Sequence, residues 1–205
     1  MARDFKIPRL YKTLLALVAV LGPIYWLMLT EDGQRRADLT LMWILGRPSF
    51  DAALESFTDR LTETRLRESF PAIDLQCSNG ANPFGDRLCG AGIGSFNQYP
   101  ARGLSLFFDQ GRLSAVKVLY PRTYHARIRG WVERRVARLA EGVGGAGAVA
   151  PQPVVDGGVA AWRVPDGVLM LKDGELGRRD EPALVWLSSG TLAARSASAG
   201  GRGPH

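Results

Sequence analysis

The sequence predicts an α+β protein: one N-terminal transmembrane helix, then a small antiparallel sheet with helices packed on one face. Three observations carry that prediction. Residues 13–30 are apolar and free of formal charge, residues 104–120 alternate like a β-hairpin, and the coarse order is helix, helix, short strand, hairpin, helix, three strands.

The apolar run TLLALVAVLGPIYWLMLT lies between Lys12 and Glu31. At 1.5 Å per residue it makes a rod of roughly 27 Å, close to the hydrocarbon thickness of a bilayer. Nine of its residues are Leu, Val or Ile, and their transfer energies outweigh the penalties of Gly22 and Pro23. A cleaved signal peptide would have a shorter apolar core ending in small residues, whereas this run ends in YWLMLTEDGQRR. The segment is therefore read as an uncleaved anchor, with Leu14, Leu21, Pro23, Tyr25 and Trp26 as its anchoring residues and the aromatic pair at the interface. Arg3, Lys6, Arg9 and Lys12 precede it, while residues 31–45 hold only Arg35 and Arg36. The excess places residues 1–12 in the cytoplasm as a basic N-terminus. The remainder then lies in the periplasm of a bacterium, on the outer side of its inner membrane.

The formal net charge is +6. Residues 1–12 supply +3, residues 191–205 +2, and the stretch 31–190 only +1. A nearly neutral domain lacks the clustered surplus that phosphate-backbone binding needs, so nucleic acid is excluded as a partner.

Residues 31–48 form a juxtamembrane connector in which 39–45 turn apolar, too few to span a bilayer. That run is read as packing on the domain in preference to dipping into the membrane interface. The domain proper covers 49–190. A helix is expected from Ser49 to about Phe70, since Phe50, Leu54, Phe57 and Leu61 step at helical spacing. Ser49 is its expected cap, and Asp51, Glu55, Asp59 and Glu63 form its solvated face. Residues 73–77 read as a short strand leading into an irregular loop closed by a disulfide between Cys77 and Cys89. That bridge is what an exported domain favours. No C-x-x-C is present and histidine is scarce, so no metal site and no cofactor are expected. GAGIGS at 90–95 lacks the final glycine of a dinucleotide turn and reads as a glycine-rich strand entry.

In 104–120 the apolar positions alternate around the turn Asp109-Gln110-Gly111. A helix follows from Thr123 to about Glu141, with Tyr124, Ile128, Val132, Val136 and Leu139 inward and Trp131 at the edge. Its outer face carries Arg127, Arg134 and Arg138, with Arg122 and Arg129 nearby. This is a solvated or carboxylate-paired face, or a contact for anionic lipid or a partner. Arg135 falls inside the apolar sector and must snorkel or meet a carboxylate as a buried charge. The glycine-rich stretch 142–153 reads as a flexible loop. Strands follow at 159–164, 168–172 and 182–188, with Trp162 and Trp186 in the core. Residues 191–205 read as a disordered tail.

His125 is the domain's one histidine, and no nucleophile elbow, zinc-protease helix or phosphate loop appears. No catalytic residue is assigned. The expectation is a non-catalytic interaction protein, an accessory subunit or assembly factor of an envelope complex whose partners are the bilayer and another membrane protein. The alternative is a domain holding a lipid, quinone-like or cell-wall molecule between sheet and helix, in a cavity lined by Trp131, Trp162, Trp186 or Phe108, with Arg135 among its polar groups.

Overall fold

The computed structural model describes residues 8–144 and 152–200. Arg9–Leu29 forms α1, which is long and apolar enough to cross a membrane and buries none of its apolar window against the rest of the chain. Pro23 lies within it. The helix stops at Thr30, whose extended backbone breaks the ladder while its hydroxyl donates to Trp26 O at 2.7 Å. The same hydroxyl accepts from Gly33 N at 3.0 Å and so caps the next helix, α2 (Glu31–Ile44). One residue thus closes one helix and opens another.

The expectation for 39–45 is corrected. Leu41, Trp43, Ile44 and Leu45 are exposed, and only Leu39 and Met42 turn partly inward. The long helix expected from Ser49 is corrected as well. The segment runs as a two-residue strand β1 (Ser49–Phe50), a 3-10 turn (Leu54–Ser56) and a short helix α3 (Glu63–Ser69) capped by Thr62. Its backbone groups pair at long range: Ala52 O accepts from Asn97 Nδ2 at 2.9 Å and Leu61 O from Leu113 N at 3.0 Å. Phe50, Leu54 and Phe57 are buried as expected, but tertiary hydrogen bonds outweighed helix propensity in placing them.

The cysteine loop is a β-hairpin whose register shifts between Asn79 and Asn82. β2 (Gln76–Asn82) and β3 (Gly85–Ala91) pair antiparallel with Cys77 opposite Cys89, and the two are disulfide-bonded. After β4 (Ser95–Phe96) and β5 (Tyr99–Pro100) comes the main hairpin, β6 (Gly103–Asp109) and β7 (Arg112–Leu119). Its turn takes positive φ at Gln110 (50°) and Gly111 (78°), the mirror-image turn whose twist suits antiparallel strands. Pro121 leads through a 3-10 turn into α4 (His125–Gly144). The chain ends with β8 (Val154–Asp156), β9 (Val159–Val164), β10 (Gly167–Lys172), β11 (Ala183–Ser188) and α5 (Ser189–Gly200). That last helix stands where composition alone reads as a disordered tail. The loop expected at 142–153 lies in part outside the described residues, as does most of the basic N-terminus.

The sheet is larger than expected: eight antiparallel strands in the order β2-β3-β6-β7-β11-β10-β9-β8, with β1-β4-β5 forming a second, three-stranded sheet. β3 and β8 account for the extra strands, β2 standing in for the short strand expected at 73–77. Nor do the helices share one face. Ile128, Val132 and Val136 of α4 join Trp162, Leu169 and Trp186 in the main core. The alternating residues Ala115 and Leu187 are buried outside that core, and α5 lies against β7, β10 and β11, with Thr191 Oγ1 donating to Ser114 O at 3.2 Å.

Candidate functional site

The geometry gathers charge and aromatic surface into one cleft where α4 runs beside α2 and the β4–β5 turn. α4 presents two adjacent rows, Arg127, Gly130 and Arg134 in one and Trp131, Arg135 and Arg138 in the next. α2 contributes Glu31, Asp32 and Arg35, while Asn97, Gln98 and Tyr99 close the far wall. Two adjoining hollows of about 440 and 340 Å³ share Arg35 and Tyr99. Asn97 and Gln98 both have positive φ, 47° and 65°, which drives Tyr99 back toward Trp131. A glutamine in that region is uncommon; the long-range bond from Asn97 to Ala52 helps hold the turn.

The arginines divide by what they meet. Arg35 pairs with Asp32 at 2.7 Å and lies over the Tyr99 ring, 5.9 Å from its centroid. Hydrogen bonds from Arg35 and then Arg36 hold the Asp32 carboxyl below its usual range. Arg127 donates to Glu31 O at 3.2 Å and lies over the Tyr124 ring. Arg135, partly buried, meets the Glu55 carboxylate. Arg134 and Arg138 are exposed, and among the described residues neither has a carboxylate within ion-pair distance. Arg138 Nε reaches only the Arg134 carbonyl, at 3.4 Å. Among the described residues the cleft therefore keeps two guanidinium groups without an ion-pair partner beside two aromatic rings, with Asp51, Glu31 and Asp32 further along its walls, the chemistry that receives a carboxylate or phosphate.

Of the five arginines grouped by sequence, the structure brings Arg127, Arg134 and Arg138 to this cleft and sends two elsewhere. Arg129 binds Asp173 and Glu133. Arg122 donates to the carbonyls of Gly177 and Asp180, both at 2.6 Å. Sequence reasoning missed Arg35 and Tyr99. Arg35 stands in a connector whose helical form carries weak periodicity, and Tyr99 follows a glycine-rich stretch that shows only a strand entry.

His125 is buried with both ring nitrogens engaged. Its Nε2 lies 3.0 Å from Gly174 O, which only accepts, so that nitrogen carries the hydrogen and Nδ1 accepts from Tyr120 OH at 2.9 Å. Burial pushes the Tyr120 phenol well above its ordinary range. The ring thus bridges α4 to the β10–β11 loop.

Around the disulfide, Glu63, Cys77 and Cys89 bring donor atoms within 4.8 Å of one another. Both sulfurs are already spent on the bridge, and Glu63 accepts from Arg87 Nε at 2.6 Å and pairs with Arg67 at 3.0 Å. The Arg87 bond, reinforced by Arg67, holds the Glu63 carboxyl below its usual range despite partial burial. Trp162, Trp186 and Phe108 pack into the core, each 1% exposed. Of the residues expected to line a ligand cavity, the open cleft takes Trp131 and Arg135.

No protein-family model matches the chain, and neither curated proteins nor solved structures yield a match.

Proposed function

We propose that this chain is a single-pass membrane protein that works by binding, as an accessory subunit or assembly factor of an envelope complex. In this reading α1 sits in the bacterial inner membrane with its N-terminus cytoplasmic, and the α+β domain is periplasmic. The observation that carries it is the cleft, where Arg134 and Arg138 have no ion-pair partner among the described residues and stand beside Trp131 and Tyr99. Arginine and aromatic side chains are the residue types that most often anchor protein interfaces. The partner would bring an acidic segment to that cleft.

The test is purification of the full-length chain in mild detergent, comparing the wild type with an Arg134→Glu, Arg138→Glu double variant. A stoichiometric companion that is lost from the folded variant is expected. A wild-type chain that runs alone would count against the reading. Reporters fused at the C-terminus should be active only outside the cytoplasm.

A second reading, a small anionic ligand in the same cleft, is supported by the roughly 440 Å³ hollow that Trp131 and Arg135 line. A small molecule retained through purification and released by the double variant distinguishes it from a protein companion.

A further inference from the structure

We propose that α2 lies flat on the membrane surface and contacts lipid through its exposed far end, giving the domain a second hold on the bilayer besides α1. This rests on the reading of α1 as a membrane span. Its starting point is the junction. A Cβ on Gly33 would fall 2.2 Å from Trp26 O and 2.7 Å from Leu27 Cα, so α2 meets the last turn of α1 backbone to backbone. Gln34 Nε2 donates back to Met28 O at 2.7 Å, and Arg36 lies over the Trp26 ring at 5.8 Å. Ten residues of straight helix would separate Trp26 from Arg36 by roughly 15 Å, so the chain bends sharply at Thr30. The bend stops short of a hairpin. Trp26 and Leu27 are the most covered of the exposed apolar residues on α1, at 40% and 38%, while Leu14 through Ile24 remain more open. Helix α2 therefore leaves α1 at a steep angle, and a helix steep to a spanning rod runs along the membrane plane.

The faces of α2 settle which side looks at lipid. At about 100° per residue, Arg35, Asp38, Leu39 and Met42 share one sector of roughly 100°. That sector meets the domain: Arg35 lies over Tyr99, Asp38 accepts from Tyr124 OH at 2.6 Å, and Met42 Cβ stands 2.9 Å from where Gly94 would place a side chain. Gly33, Ala37, Thr40 and Ile44 occupy the opposite sector, roughly 60° wide, and Gly33 faces α1. Beyond the junction this row is exposed and uncharged, and Leu41 and Trp43 flank it toward the C-terminal end. Trp43 is 78% and Ile44 67% exposed, with Leu45 open beside them. The domain sits on one side of α2 and the root of α1 on the other, so the open apolar end faces the surface from which α1 emerges. A tryptophan flanked by Leu and Ile suits the headgroup boundary.

The test uses the full-length chain reconstituted into phosphatidylcholine–phosphatidylglycerol vesicles. A fluorescent thiol label is placed singly at Ile44→Cys, at Leu21→Cys within α1, and at Arg112→Cys at the exposed start of β7. Quenching by shallow lipid nitroxides and by aqueous iodide is compared at each site. Expected are lipid quenching at Ile44 several-fold above Arg112, with iodide access reduced several-fold, and deep lipid quenching at Leu21. A label at Ile44 as open to iodide as Arg112, with Leu21 still deep, overturns the flat-helix proposal while leaving the anchor intact. Shielding of Ile44 from both quenchers also overturns it, since protein would then cover the site. Failure of lipid quenching at Leu21 removes the anchor itself, and this proposal with it.

Discussion

Glu63 shows how one side chain ties a short helix to the disulfide hairpin. It stands at the first position of α3 and receives Arg87 from β3 and Arg67 from its own helix. Because Arg87 chiefly, and then Arg67, lower its folded-state pKa, the stability it lends is complete above the ordinary Glu value of about 4.3. It is lost as pH falls through the depressed folded value. Denaturant titrations of Glu63→Gln should therefore lie roughly 1 kcal/mol below wild type at pH 7, and the gap should close below about pH 4. A gap constant across that range would mean that the charge plays no part. At His125 the logic is satisfaction instead of charge. Tyr120→Phe leaves Nδ1 without its donor in a buried site, and a loss of about 1–2 kcal/mol is expected from the urea midpoint.

At the scale of elements, the sequence was legible wherever a periodic pattern met a burial boundary it could feel. The alternation in β6, the expected inward residues Val116 and Val118 of β7, and the row of Tyr124 just before α4 with Ile128, Val132 and Val136 on it appear in the structure as buried positions. Phe50, Leu54 and Phe57 show the limit: they are core residues as their spacing implies, yet the segment is not a helix, because spacing reports burial and not the backbone that achieves it. The cysteine hairpin was hidden by the polar residues Ser78, Asn79 and Asn82, since a sheet edge facing water needs no apolar alternation. The cleft was half legible; α4 announced its arginines, but α2 and the β4–β5 turn supplied partners through contacts remote in sequence. Two element-scale predictions follow from these placements. Reducing Cys77–Cys89, twelve residues apart, should lower unfolding free energy by about 3 kcal/mol, read as the shift in denaturant midpoint with and without reductant. Gly33→Ala must push α2 off α1, because the new carbon meets backbone atoms that no rotamer change relieves. Faster proteolysis after Arg35 and Arg36 than in wild type is the expected outcome.

For the whole molecule, α2 is held by the domain as well as by α1, and this changes where the chain divides. Cutting before Thr30 removes a helix whose apolar window is unburied and keeps the α2 cap, so a fragment 30–205, which loses the contacts of Gly33, Gln34 and Arg36 with α1, should keep its main thermal transition. It should also keep Leu41, Trp43, Ile44 and Leu45 exposed with no bilayer to cover them, and associate when detergent is withdrawn. Cutting before Arg47 removes that apolar end but also Asp38 from Tyr124, Arg35 from Tyr99 and Met42 from the cleft beside Gly94. The phenol of Tyr124, whose ionisation burial and then the Asp38 bond oppose, loses its acceptor in a partly dry site. That fragment should be more soluble and melt several degrees lower, since each kcal/mol is worth roughly 2–4 °C in a chain of this size. Replacing Trp43 and Ile44 with Gln in the longer fragment separates the two effects: solubility should recover while the melting temperature stays. If the longer fragment is monodisperse without detergent, its apolar end needs no lipid. If the shorter one melts no lower, α2 is a tether whose contacts with Tyr124 and Tyr99 add nothing to the stability of the fold.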